Sequence, residues 1–460
     1  MSDILDKTND LDKMTAAQKK ELLVAMLKQK SAAASGAGLP RQELNQPAVI
    51  QTAGEPHNIP EQFYKISNFP EVEAVPKTFM ELEQVGIANP FFRVSDGVAR
   101  GVTIIDGREY IDFSSYNYLG FSGEPRVNQA VQAAVERYGT SVAGSRLVSG
   151  ERMIHRELEA ELASLLGVED AVVFVSGHAT NVSAIAAIVR PQDLIVHDSL
   201  SHNSILQGCM LSGARRMPFP HNDYNALADI LKQNRHFYER VLIVIEGVYS
   251  VDGDIVHLPE IIELKKQYKA LLMVDEAHSL GVIGATGRGV GEYYNVAPED
   301  IDLWMGTLSK TLASCGGYIA GSRELILYLK YNADGFVYSV GMTPQNTAAA
   351  LAALRFMKAE PERVRRLKDN FQYFHRLAGE KGLDTGQSGH SAVIPAIVGD
   401  SNKCLQLTDN LFKQGIIAQP IIYPVVAQDQ ARLRFFITCT HTREQISFTL
   451  DTFAALYSAG

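Results

Sequence analysis

The sequence predicts an α/β fold, in which a large domain with a mostly parallel sheet flanked by helices precedes a smaller C-terminal α+β domain. Between residues 171 and 320, short apolar runs alternate with helical patterns. Apart from polar residues at their ends, these runs are apolar, as expected for parallel strands that helices cover on both faces. Six strands are predicted there, at residues 171–176, 194–197, 241–246, 271–275, 302–305 and 318–320.

The segments on either side of this pattern differ from it. After residue 343 the sequence predicts helices at 345–358, 362–381 and 403–414 and strands at 392–397 and 432–438. Before it, branched and polar residues alternate around Asp106–Gly107, which predicts a β-hairpin, and helices are expected at 128–138 and 155–166. We therefore expect an N-terminal segment at 41–110, a large domain at 111–342 and a small domain at 343–460.

Residues 1–40 form a leader of different composition. Residues 17–30 place leucines and Met26 on one face of a predicted short helix, and residues 31–40 are small and typical of a flexible linker. Two interpretations remain open. The helix packs on its own protein or on a partner subunit, or it docks another module.

Composition and charge exclude several classes of protein. The chain has 460 residues, of which 46% are hydrophobic and 21% charged, so it is globular rather than disordered or fibrous. Its net charge of −9 argues against nucleic acid or an anionic membrane as a general partner. The apolar runs are too short to span a bilayer. The four cysteines have no paired spacing, so we expect no metal site or disulfide framework and a cytoplasmic location.

Two residues at predicted strand ends indicate a chemistry. Asp275 ends an apolar strand, where a carboxylate is costly unless it pairs with a cation or caps the next helix. Lys310 follows another strand, and Ser309 stands where a phosphate-binding loop would need glycine. Most lysines are surface charges, but one held among apolar residues can form a Schiff base. Together the pair fits pyridoxal 5'-phosphate (PLP), which needs an amine for its aldehyde and a carboxylate for its ring nitrogen.

Other residues are compatible with the same cofactor. The backbone amides of Gly177 and His178 begin a predicted helix and could bind a phosphate. His202 follows a strand and could stack on a flat ring, although a single histidine is more often a core or surface residue. Arg432 and Arg434 alternate on one strand, so either could hold a substrate carboxylate or form a surface salt bridge.

Eight motifs occur in one order between about residue 89 and residue 459. They are NYLGFSG, YGTSVAGSRLVSG, SGHATN, DSLSHNSIL, EGVYSVDGD, VDEAHSLGVIGATGRG, GTLSKTLASCGGYIAG and ARLRFFITCTHT. Each motif alone has modest specificity, but the ordered set closely resembles the α-oxoamine synthase family of fold-type I PLP-dependent transferases. The resemblance implies that fold, PLP as cofactor, and a homodimer with its active site at the interface.

The resemblance also implies roles for individual residues. Lys310 is similar to the family's catalytic lysine, which binds the cofactor aldehyde and removes the α-proton. Asp275 is similar to the partner of the ring nitrogen, and His278 to a hydrogen-bond partner near the phenolic oxygen. His202 is similar to the stacking imidazole, and all four are expected to be catalytic. The other cofactor contacts implied by the resemblance are the amides of Gly177 and His178, and residues Ser250, Thr307 and Thr343.

Substrate contacts are implied in the same way. Asn117 in YNYLG and Ser145 in AGSR match family positions near the substrate, and Arg434 resembles the arginine that holds its carboxylate. The chain departs from the family pattern at residues 338–344, where valine replaces a hydroxyl residue and Thr343 replaces a proline. That departure concerns the loop by which a partner subunit would reach the phosphate.

The resemblance implies an acyltransferase that condenses an amino acid with an acyl thioester, usually with loss of carbon dioxide, to give an α-amino ketone. The leader resembles those of synthase domains on polyketide or nonribosomal assembly lines, which favours an acyl carrier protein as donor in secondary metabolism. The alternative is an acyl-CoA donor in primary metabolism, as in biotin or sphingolipid synthesis. A PLP-dependent aminotransferase and a catalytically silent scaffold are further alternatives.

Overall fold

A computed structural model describes residues 59–84 and 86–459, and the chain divides into two compact units at Phe91/Phe92. The described part of the first unit contains two short 3₁₀ turns, Glu61–Phe63 and Ile66–Asn68, and helix α1, Pro70–Gln84. The helix predicted at 17–30 and the linker at 31–40 lie outside the described residues. None of the described helices is long and apolar enough to cross a membrane.

The second unit begins with the predicted hairpin, formed by β1 (Val102–Ile105) and β2 (Arg108–Asp112). Its turn residues, Asp106 and Gly107, have φ angles of 50° and 74°. Asp and Gly tolerate this left-handed conformation better than branched residues do, which explains the position of the turn.

A seven-stranded sheet forms the centre of the second unit. Its strands are β3 (Asp170–Phe174), β4 (Leu194–Asp198), β5 (Arg215–Phe219), β6 (Val241–Glu246), β7 (Leu271–Asp275), β8 (Leu303–Thr307) and β9 (Gly317–Gly321). The spatial order is β3-β9-β8-β7-β6-β4-β5, and β9 runs in the direction opposite to that of the other six strands. The predicted mostly parallel sheet is therefore confirmed. Strand β5 was not predicted, because it is an edge strand that contains Arg215, Arg216 and Pro218 and therefore lacks a continuous apolar run.

Helices cover both faces of this sheet, and every residue of β6 is buried. The helices up to residue 337 are α2 (Pro125–Tyr138), α3 (Met153–Leu166), α4 (Gly177–Ile188), α5 (Asn203–Ser212), α6 (Tyr224–Asn234), α7 (Leu258–Tyr268), α8 (Val290–Tyr294), α9 (Arg323–Asn332) and α10 (Asp334–Val337). Short turns occur at Arg146–Gly150, Arg235–Phe237 and Pro298–Asp300. Because β4, β6, β7 and β8 run parallel, the polar residues that follow them lie at one edge of the sheet.

The C-terminal part contains long helices and a small sheet, as predicted. The helices are α11 (Pro344–Ala359), α12 (Pro361–Glu380), α13 (Ser401–Lys413) and α14 (Arg443–Ala459). The strands are β10 (Val393–Gly399), β11 (Ile416–Ile417), β12 (Gln419–Ile421) and β13 (Ala431–Phe436). Strand β13 lies between β10 and β12, antiparallel to both, whereas β11 pairs with β2 of the hairpin. The domain boundaries at residues 110/111 and 342/343 stay predictions.

Candidate active site

A cavity of about 1180 Å³ opens beyond the carboxyl ends of β4, β6, β7 and β8, and residues of the small domain complete its wall. Twelve site residues were predicted from the sequence. Nine of them line this one cavity, namely Gly177, His178, His202, Ser250, Asp275, His278, Thr307, Lys310 and Arg434. The sheet topology therefore gathers residues that are up to 257 positions apart (434 − 177) in the sequence.

Asp275 ends β7 and is almost fully buried. Asn181 Nδ2 donates to its Oδ2 at 2.9 Å, and the amide of Ala277 donates to its Oδ1 at 2.9 Å. These two donors hold a fixed carboxylate at the floor of the cavity, where it can face a cationic ring nitrogen. Asn181 was not among the predicted site residues. The sequence feature that could have identified Asn181 is its position four residues after Gly177, because this spacing places both residues on one face of α4.

Glu246 lies beside Asp275, because the two residues pair in register at the ends of β6 and β7. Burial and the charge of Asp275 hold the pKa of Glu246 well above its usual range. Its Oε1 accepts a hydrogen bond from the backbone amide of His202 at 2.6 Å. Glu246 therefore fixes the start of α5, where the His202 side chain caps the helix by accepting from the amide of Ser204.

Lys310 and His278 are in direct contact. Lys310 Nζ lies 2.9 Å from His278 Nε2, and Tyr118 Oη lies 2.8 Å from His278 Nδ1. Burial, followed by the charges of Lys310 and Arg434, holds the pKa of His278 well below its usual range, so the ring is neutral. Since an ammonium can only donate, Nε2 accepts from a protonated Lys310 and the ring proton lies on Nδ1, donated to Tyr118. Tyr118, in the motif NYLGFSG, was not predicted as a site residue.

The environment of Lys310 suits an amine nucleophile. Burial lowers the pKa of Lys310 to about 8, although the carboxylates of Asp275 and Glu246 raise it. An amine with this pKa is partly unprotonated near neutral pH and can attack an aldehyde or accept a proton from carbon.

One end of the cavity is built to accept an anion. Ser176 caps α4 by accepting from the amide of Ala179 at 3.0 Å, and the first amides of a helix have no intrahelical partner. A Cβ at Gly177 would lie 2.7 Å from Thr307 Oγ1, so only glycine leaves this space open. The amides of Gly177 and His178 and the Thr307 hydroxyl can therefore surround a phosphate.

The two arginines of β13 differ in their partners. Arg432 forms an ion pair with Asp252. Arg434 is half-buried, its Nη1 donates to the carbonyl of Ser250 at 2.9 Å, and its Nε has no hydrogen-bond partner. No carboxylate among the described residues forms an ion pair with Arg434. Of the two arginines, Arg434 is the one with donors left for a carboxylate from solution.

The remaining three predicted residues do not line the cavity. The Asn117 side chain holds a loop, since its Nδ2 donates to Ala99 O at 2.8 Å and its Oδ1 accepts from the Ser122 amide at 3.1 Å. Ser145 Oγ donates to Val337 O at 2.7 Å. Thr343 precedes α11, and its hydroxyl is buried without a hydrogen-bond partner. Roles for these residues in binding stay predictions.

The residues of the cavity fit PLP. Asp275 suits the ring nitrogen, Lys310 the aldehyde, and the cradle that a Cβ at Gly177 would fill suits the phosphate. His202 also lines the cavity and can stack on the ring. The resident donors thus match the three polar ends of the cofactor.

Comparisons with known proteins agree with this assignment. A family model described as aminotransferase class I and II matches residues 108–453. The chain is 41% identical over 373 residues to an 8-amino-7-oxononanoate synthase from Symbiobacterium thermophilum, covering 81% of this chain and 94% of that protein. It is 37% identical to a serine palmitoyltransferase from Bacteriovorax stolpii, covering 79% of this chain and 86% of that protein.

Solved structures give the same result. A serine palmitoyltransferase from S. paucimobilis with bound PLP and myriocin superposes with a TM-score of 0.81 at 28% identity, covering 85% of this chain and 98% of that one. The fold is therefore that of the fold-type I PLP-dependent transferases, as predicted. The chain belongs to the aminotransferase class I and II family and, within it, to the PLP-dependent α-oxoamine synthases.

Proposed function

We propose that this protein condenses the α-carbon of an amino acid with an acyl thioester, releasing a thiol and carbon dioxide and yielding an α-amino ketone. The observation that carries the proposal is that Lys310 and Arg434 line the same cavity. Lys310 is an amine of lowered pKa, and Arg434 is a half-buried guanidinium without a carboxylate partner among the described residues. A base and a carboxylate site facing the same space fit an α-amino acid.

Each residue has a defined task. Bound in this cavity, PLP supplies an electron sink for the carbanion at the α-carbon. Arg434 binds the substrate carboxylate through charge-assisted hydrogen bonds and orients the α-carbon. Lys310 accepts the α-proton, and His278, held by Tyr118, keeps the Lys310 amine in position.

The bond changes balance without a further reactant. The α-carbon forms a bond to the thioester carbonyl carbon, and the carbon–sulfur bond breaks and releases the thiol. The product is a β-keto carboxylate, which loses carbon dioxide and takes a proton at the same carbon. No oxidant or reductant is required.

The names of the relatives favour this reaction over transamination. The name 8-amino-7-oxononanoate describes an amine on the carbon next to a ketone, and serine palmitoyltransferase describes transfer of an acyl group to an amino acid. A transaminase would instead release a keto acid and consume no thioester. The apolar residues Ile421, Val425 and Val426 also line the cavity, which suits an acyl chain.

Two donors fit the proposal. The leader favours an acyl carrier protein in secondary metabolism, but residues 1–58 lie outside the described part of the chain. Acyl-CoA, in a primary biosynthetic pathway, is the alternative, and the relatives named above favour it.

A mass-spectrometric assay tests the function and the donor together. The PLP-loaded full chain is incubated with single amino acids and matched acyl-CoA or acyl-carrier-protein donors, and products and free thiol are measured. We expect an α-amino ketone and one thiol per product, both lost in Lys310→Ala and retained in Lys232→Ala, which alters an exposed lysine. A keto acid without thiol release would refute the proposal. Equal or better turnover with acyl-CoA would refute the carrier-protein preference.

We also propose a homodimer. The loop before α11 carries the exposed Tyr338 and Val340, and the buried Thr343 hydroxyl next to it lacks a partner. Such a surface suits contact with a second copy. Sedimentation equilibrium should give twice the chain mass of 50.5 kDa, whereas a monomer at micromolar concentration would exclude the dimer.

A further inference from the structure

One loop joins the central sheet to the small domain at the edge of the cavity. We name residues 247–256, which follow β6, the bridge loop. On its small-domain side, Arg434 Nη1 donates to the carbonyl of Ser250 at 2.9 Å, and Arg432 pairs with Asp252. The position of the bridge loop therefore determines how the Arg434 guanidinium is held.

On its other side, the bridge loop is fastened by His221, which follows β5. His221 Nδ1 lies 3.0 Å from Asp198 Oδ1 at the end of β4, and its Nε2 lies 3.1 Å from Asp254 Oδ2 in the bridge loop. Burial alone would lower the pKa of His221, but the neighbouring carboxylates of Asp198 and Asp254 raise it to about 10. The imidazolium thus donates from Nδ1 to Asp198 and forms an ion pair through Nε2 with Asp254. The ring of Tyr249 meets it edge-on at 4.5 Å.

Asn222 strengthens the same attachment. Its side-chain amide donates to Asp254 Oδ2 at 2.8 Å and to the carbonyl of Ile255 at 3.0 Å, and its backbone amide donates to Asp198 Oδ2 at 2.8 Å. Two consecutive residues therefore join the end of β4 to the bridge loop. Because β4 lies inside the sheet, between β5 and β6, it gives the loop a rigid base.

We propose that His221 is a positioning residue for the substrate carboxylate. It fastens the bridge loop to β4, and the loop in turn fixes Arg434 through the Ser250 carbonyl. The inference rests on the proposed function, in which Arg434 binds the carboxylate of the amino acid. His221 does not itself touch the reacting atoms in this assignment, and its loss changes substrate binding rather than the bond-forming step.

The test compares His221→Gln with a matched control, His236→Gln. Glutamine is neutral, so it cannot supply the positive charge that His221 places between the two carboxylates, whereas His236 is exposed and is not part of the cavity wall. Three quantities are measured on the PLP-loaded full chain. They are amide hydrogen exchange of the bridge loop, the rate at which phenylglyoxal modifies Arg434, and the steady-state constants for both substrates.

For His221→Gln we expect faster exchange in the bridge loop and faster modification of Arg434. The KM for the amino acid should rise about tenfold, while kcat and the KM for the thioester stay within about twofold, since only binding of the carboxylate is weakened. The proposal would be overturned if His221→Gln only lowered the melting temperature. In that case amide exchange in the bridge loop, the phenylglyoxal reactivity of Arg434 and the KM for the amino acid would equal those of His236→Gln.

The design separates this inference from the proposed function. If the unaltered protein turns over no thioester, the proposed function fails, and loop exchange and Arg434 modification still decide whether His221 fixes Arg434. If His221→Gln does not fold, Asp254→Asn provides the same measurements, because it keeps His221 and removes only one of its two carboxylates. Unchanged exchange and Arg434 reactivity in that variant would also overturn the proposal.

Discussion

The titration of Lys310 provides a quantitative test of the site. Burial lowers the pKa of its amine from 10.5 to about 8. At pH 7.5 an amine of pKa 8 is roughly one quarter unprotonated, whereas an amine of pKa 10.5 is about one thousandth unprotonated. The structure therefore predicts that the population of reactive amine at neutral pH is larger by roughly two orders of magnitude than for an ordinary lysine.

Competitive labelling of the protein without cofactor measures this difference. Trace acetic anhydride is applied between about pH 6 and pH 11, and the acetylated peptides are quantified by mass spectrometry with the exposed Lys232 as reference. The labelling midpoint of Lys310 should lie near 8. Arg434→Met should raise that midpoint, because the Arg434 charge lowers the Lys310 pKa, whereas Arg355→Met, at a surface ion pair, should leave it unchanged.

Two results would refute this reasoning. A midpoint near 10.5 would mean that burial does not control the amine. A midpoint near 8 that stays fixed in Arg434→Met would mean that the guanidinium and the amine do not share one cavity, against the geometry described above.

Three further predictions concern the substrate, the cofactor and the stability of the fold. Arg434→Lys should raise the KM for the amino acid by about tenfold in steady-state assays, because an ammonium cannot hold a carboxylate bidentately. Gly177→Ala should weaken PLP binding in a fluorescence titration, because its Cβ would lie 2.7 Å from Thr307 Oγ1. Arg146→Met should lower the free energy of unfolding by about 3 kcal/mol in urea titrations, because it strips the buried Glu159 of its bidentate partner.

Each of these changes has a control and a contradicting outcome. An unchanged amino-acid KM in Arg434→Lys would place the carboxylate elsewhere. Gly379→Ala, where a Cβ meets nothing within 4 Å, should bind PLP normally, and equal affinities for the two glycine variants would contradict the phosphate cradle. The exposed Arg137→Met is the control for Arg146→Met, and equal stabilities would show that the buried ion pair contributes nothing net.

The sequence predicted those parts of the molecule that follow from local patterns. Strands buried on both faces are nearly continuous apolar runs, so six of the seven central strands were found. The polar residues at their ends or just beyond them, such as Asp275 and Lys310, could then be placed at one edge. Strand β5 escaped because an edge strand needs fewer apolar residues. Because β5 was not predicted, His221, two residues after its end, was not recognised either.

Contacts between distant residues could not be read from the sequence. Tyr118 meets His278 across 160 positions, and Asn181 meets Asp275 across 94. No periodicity encodes such a pair, because the contact depends on how the strands are ordered in the sheet. The same limit applies to Arg432 and Arg434, since only the position of Asp252 decides which of the two arginines is already paired.

The pairing of β2 with β11 has a consequence for the order of events during synthesis. Arg108 Nη2 donates to the carbonyl of Lys413, 305 residues downstream, and Ile111 pairs with Ile416. The ribosome completes the central sheet well before Ile416 is made, so the sheet can assemble while the chain is still growing. In the β1–β2 hairpin, the edge of β2 that pairs with β11 stays unpaired until nearly the whole chain has been synthesised. A nascent chain that stalls before Ile416 would leave that edge exposed, and the late-made C-terminal residues therefore act as the final protection against aggregation.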